Sequence, residues 1–96
     1  MRSLDRIGRA YVLYAYIALV TEAWLLPVSI SYLSAKFERA REGTDEQVCQ
    51  AIHDLVAIGV IEANDHEVTR WYEREWSDIP KLLEQRLVTA KMEGVR

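Results

Sequence analysis

Between Glu42 and Glu67 the chain has no lysine and no arginine. Other residue types are scarce as well: 96 residues include one cysteine, two prolines, four glycines and one phenylalanine. Each shortage excludes something. A lone Cys49 rules out an internal disulfide framework and suits a reducing cytoplasm. The four glycines stand singly at 8, 43, 59 and 94, so there is no glycine-rich phosphate loop. Half the residues are apolar, which excludes a disordered chain. No internal repeat, low-complexity tract or linker occurs. A chain of this length is expected to make one domain, burying roughly 60–70% of its unfolded surface in one modest core.

A long hydrophobic run is also missing, although Ala10 to Leu33 (AYVLYAYIALVTEAWLLPVSISYL) comes close, with Glu22 as its only charge. Its unbroken apolar part, Ala10 to Val20, falls short of the ~18 residues that a membrane span needs. Glu22 and Pro27 interrupt the remainder. Arg2, Arg6 and Arg9 before it and Lys36, Arg39 and Arg41 after it give no orientation bias. No small-x-small cleavage site follows the run, so a signal peptide fits poorly. The expectation is a helix buried on nearly all sides, and membrane insertion is set aside.

Charge is unevenly spread. Residues 1–41 carry six basic side chains against three acids, and residues 68–96 carry six against five. Between them, residues 42–67 carry seven acids and no Lys or Arg, a local net of −7 within an overall −3. Such a middle repels phosphate.

The predicted fold class is mainly α with a small β-hairpin. A first helix is expected over 4–26, with Leu4, Ile7 and Tyr11 on one side and Arg2, Arg6 and Arg9 on another, until the apolar surface wraps around it after Ala10. Pro27 ends it. "VSI" reads as a short strand. Ser31 is the expected cap of a helix over 31–41, with Leu33, Phe37 and Ala40 inward and Gly43 as breaker. Thr44 opens a helix over 44–58, with capping-box spacing to Gln47 and with Asp45 and Glu46 in the first turn. Val48, Ala51, Ile52 and Leu55 face inward, with Ile58 beside them, and Gly59 fits the left-handed position past the end. "VIEANDHEVTRW" shifts to strand chemistry, giving a hairpin over 60–71. Ser77 is the expected cap of a last helix over 77–92, with Pro80 near its start and Ile79, Leu82, Leu83, Leu87 and Ala90 as its stripe.

The order helix, strand, helix, helix, hairpin, helix is that of a winged-helix domain. "TDEQVCQAIHDLVAIGVIE" resembles the third helix and second strand of many winged-helix domains. "EVTRWYERE" resembles the wing exit in winged-helix modules at the N-termini of phage replication-initiation proteins. The likeness covers about residues 28–76. It implies a winged-helix domain with long terminal helices and a DNA-binding, regulatory role of phage or mobile-element type.

Two partners remain open. In the first reading Lys36, Arg39, Arg41, Arg70 and Arg74 grip phosphates while Gln47, Gln50 and His53 read a groove from the third helix. In the alternative the acidic helix docks on a host transcription, replication or defence protein. Glu46 and Asp54 then supply charge, and Trp71, Tyr72 and Trp76 supply anchors, with Trp24 a further aromatic. A homodimer is expected through the over-apolar first helix and the last helix, with Tyr14, Leu19, Leu83 and Leu87 at the interface. Asp45, Cys49 and His53 share one helical face, with His66 nearby in sequence, but Cys49 reads as a small residue beside the buried stripe and His53 as an exposed polar one. No metal, cofactor or enzymatic chemistry is expected.

Overall fold

A computed structural model describes residues 5–22 and 26–94, with the backbone alone for 89–94. The first helix, α1 (Arg6–Glu22), buries Ala10, Leu13, Tyr14, Ile17 and Ala18. That 3–4 spacing makes one stripe, while Tyr11, Val12, Tyr16 and Val20 are covered only in part. Of the expected 4–26 helix, Asp5 and Leu26 lie outside α1, with the Asp5 carboxylate accepting from the Gly8 amide at 2.6 Å. Leu4 and residues 23–25, Trp24 among them, lie outside the described residues. Pro27 follows Leu26 through a cis peptide bond.

Strand β1 (Val28–Ser29) leads directly into α2 (Ile30–Arg39). The cap is Ser29, whose hydroxyl accepts from the Tyr32 amide at 3.0 Å, and not Ser31. The reason is the short strand: the helix starts as soon as the β1 pairing ends, which places Ser29 at the turn into it. Leu33, Ser34 and Phe37 are buried, whereas Ala40 is exposed. Gly43 does not end this helix. Ala40 is the C-cap, Arg41 stands at φ 57°, and the Arg41 and Glu42 amides donate to the carbonyls of Glu38 and Phe37 at 3.1 and 2.9 Å. This is a Schellman closure with arginine where glycine is the usual choice.

Helix α3 (Asp45–Ala57) is closed at both ends by local chemistry. Thr44 and Gln47 form the expected capping box. Gly59 adopts φ 79°, and the Gly59 and Val60 amides donate to Val56 and Leu55. Strands β2 (Ile61–Ala63) and β3 (Glu67–Trp71) form the hairpin, and β3 also pairs with β1, so the antiparallel sheet runs β1–β3–β2. Pairing passes from Glu62↔Arg70 to Ala63↔Val68, leaving Thr69 as an extra residue. Val68 and Trp71, three residues apart, would otherwise point to opposite faces; the bulge turns both toward the core. The Thr69 hydroxyl donates to the Glu62 carbonyl at 3.2 Å.

Helix α4 (Asp78–Gly94) packs on α1 and α3 through buried Ile79 and Leu83. Ala90, expected in its apolar stripe, lies among the residues with backbone alone. The core joins these side chains to Val28, Leu33, Phe37, Val48, Leu55, Val60 and Ile61. No described helix is long and apolar enough to cross a membrane. The chain is a mainly helical protein with a small three-stranded antiparallel sheet.

Candidate functional site

The outward surface of α3 is set by the inward one. With Val48, Ala51, Ile52 and Leu55 committed to the core, helical spacing leaves Glu46, Cys49, His53 and Val56 as one exposed stripe, flanked by Gln50 and Ala57. Cys49 is therefore exposed, contrary to its expected place beside the buried stripe. Val56, 41% exposed, is a surface residue that the stripe spacing from Glu46 and His53 could have revealed.

Asp54 corrects the expected surface. It is 2% exposed, and its carboxylate accepts from Arg6 Nε and Nη2, both at 2.9 Å. The acid therefore belongs to the α1–α3 contact and is unavailable to a partner. Arg6 is drawn off the solvent side of α1, and its hydrogen bonds to Asp54 raise its pKa. Gln47 is likewise committed, its side-chain oxygen accepting from the Thr44 amide at 2.9 Å. A groove-reading role would break that cap.

The proposed phosphate anchors fall into two groups. Lys36 is exposed on α2 with its ammonium 5.4 Å from the Tyr16 ring and 5.9 Å from the Tyr32 ring. Arg39 and Arg41 are exposed at the end of that helix. Arg41 and Gln47 border one depression between α2 and α3, which Glu38 and Glu42 also line. In the second group Arg70 lies 4.0 Å from Glu62 across the hairpin, and Arg74 is exposed beyond it. Glu62 also accepts from the Tyr72 hydroxyl, which raises the Tyr72 pKa.

The aromatic candidates are partly used inside. Trp71 is half-buried, 5.0 Å from the Tyr14 ring, and its indole Nε1 is buried with no hydrogen-bond partner among the described residues. Trp76 packs on Tyr11 and Tyr14 but remains 42% exposed, and Tyr72 is 37% exposed. Tyr14 is fully buried with its hydroxyl donating to the Tyr72 carbonyl, and burial raises its pKa. Tyr14 and Leu83 thus serve the protein's own core and are withdrawn from the expected dimer face. Leu19, 61% exposed, and half-buried Leu87 keep an outward part.

Sequence spacing gave no sign of a slot between α3 and the hairpin turn. It holds about 150 Å³ and is lined by Ile52, His53, Val56, Ala63, Asn64 and Asp65. Its hairpin wall is held locally: Asn64 Oδ1 accepts from the His66 and Glu67 amides at 2.8 and 2.9 Å. At the N-terminus of α3, Asp45 accepts from the buried Ser34 hydroxyl at 2.7 Å. Among the described residues, no three His, Cys, Asp or Glu side chains gather in a metal-holding group.

No protein-family model, no curated protein and no solved structure matches this chain.

Proposed function

We propose that this chain is a winged-helix-type binding module that docks on a protein through the outward face of α3 and the adjoining hairpin. The element order and the β1–β3–β2 sheet support the winged-helix reading. One observation carries the choice of partner: the exposed stripe of Glu46, Cys49, His53 and Val56 has an apolar member and an acid, in a segment without Lys or Arg. Phosphate recognition needs cations near the reading element, whereas protein recognition needs pockets and desolvated anchors. A partner in host transcription, replication or defence machinery, met in the cytoplasm, fits the phage-type resemblance.

Exposed Lys36, Arg39 and Arg41 favour DNA as the second reading. A pull-down from lysate with and without nuclease separates the two. Docking on protein predicts a nuclease-resistant complex that Glu46→Arg disrupts and Arg39→Ala spares. DNA binding predicts a nuclease-sensitive complex, weakened steeply by salt and by Arg39→Ala on every sequence. Asp54→Arg is unsuitable as a probe of either, because Asp54 is buried.

Homodimerisation belongs to the same proposal. Among the described residues of α1 and α4, Leu19 and Val88, 61% and 53% exposed, join half-buried Leu87 as apolar side chains left for a second copy. Sedimentation should give a dimer for the native chain and a monomer for Leu19→Glu; a native monomer overturns this part.

A further inference from the structure

Resting on that protein-docking reading, we propose that the slot between α3 and the hairpin turn takes one leucine-sized side chain from a basic segment of the partner. Size comes first. A space on the order of 150 Å³ accommodates a compact apolar group. Chemistry comes second. Ile52, Val56 and Ala63 supply apolar contact for an aliphatic side chain, while His53, Asn64 and Asp65 form the polar part of the wall. Pre-organisation is third. Asn64 pins the turn through two amides, and its own amide donates to the Glu67 carbonyl at 2.9 Å, so the hairpin wall is built before anything binds.

Charge selects the rest of the segment. Asp65 lines the slot, is exposed, and makes no ion pair among the described residues. Glu46 continues the same α3 face, and no Lys or Arg lies between positions 42 and 67. Lysines or arginines on both sides of the anchoring residue meet complementary charge, while acidic flanks meet repulsion.

Two-dimensional ¹⁵N NMR of the full chain tests this with a seven-residue peptide carrying one leucine between paired lysines. Three companions are run beside it: leucine replaced by serine, lysines replaced by glutamates, and a short DNA duplex. The lysine–leucine peptide should shift the amides of 52–65 and weaken on the order of tenfold when leucine becomes serine. Val56→Glu decides between anchoring and simple charge attraction. It adds an acid to an exposed position, so attraction alone predicts tighter binding, whereas loss of the slot wall predicts at least a similar tenfold weakening. Equal binding of the serine peptide, tighter binding to Val56→Glu, or shifts scattered away from 52–65 overturn the inference. Binding of the glutamate peptide at 52–65 overturns the basic partner and leaves protein docking standing. Shifts by duplex DNA around 36–41, with no peptide bound at 52–65, overturn both.

Discussion

Removing Arg6 should destabilise this protein more than removing its partner Asp54. The two form a bidentate pair at 2.9 and 2.9 Å, but their exposures are unequal: the side chains are 37% and 2% accessible. In Arg6→Met the carboxylate stays buried with both charged hydrogen bonds gone, a state that costs about 3–5 kcal/mol at fully buried pairs. Arg6 is partly solvated, so solvent screening reduces the loss to about 3 kcal/mol. In Asp54→Ala the freed guanidinium swings into water, and only packing and two hydrogen bonds are lost, about 1–2 kcal/mol. The double variant Arg6→Met with Asp54→Leu leaves no orphaned charge and should lie within about 1 kcal/mol of the native chain. Urea unfolding followed by far-UV circular dichroism reads all three, with constant m-values confirming that stability alone has changed. The Arg6 variant should lose roughly 12–24 °C of melting temperature. An Arg6→Met cost within about 0.5 kcal/mol of zero, or single-variant costs that simply add in the double variant, would refute the claim that Asp54 depends on Arg6.

Arg41→Gly should stabilise the fold by about 1 kcal/mol, because position 41 holds φ 57° in a Schellman closure that glycine adopts without strain; an unchanged or lower urea midpoint would count against it. Tyr16 donates to Glu42, and burial first, then that hydrogen bond, pushes its pKa up to about 12. A raised folded-state value means that stability is complete below the ordinary tyrosine value near 10 and is lost as pH rises toward 12, by about 1–2 kcal/mol after allowing for solvent. Tyr16→Phe should therefore show a shallower alkaline decline than the native chain over that interval, and parallel curves would sink the idea. Gln47→Ala removes one half of the capping box and should cost about 0.5–1 kcal/mol with α3 still formed; a cost near zero would mean that the reciprocal bond contributes nothing in water.

The chain alone was enough for the order of elements, the Thr44–Gln47 box, the left-handed Gly59, the hairpin and most of the inward faces of α2 and α3. These depend on neighbours two to four positions away: backbone donors at a helix start need a nearby oxygen, and apolar side chains must share a face to share a core. Even local reading failed where two solutions compete. Arg41 took a conformation that glycine usually fills, and Ser29 capped α2 because a two-residue strand ended sooner than its sequence suggested.

Only the tertiary structure decided what reaches the surface. Asp54 is hidden by an arginine 48 positions earlier, and Tyr14 is sealed by a hydroxyl contact to a carbonyl 58 positions later. The slot beside Val56 exists because the hairpin turn comes to rest against α3. A helix apolar on several sides states that cover is needed but not whether its own chain or another supplies it. Burial is a property of where distant segments meet, and side-chain periodicity within one element carries no record of that meeting.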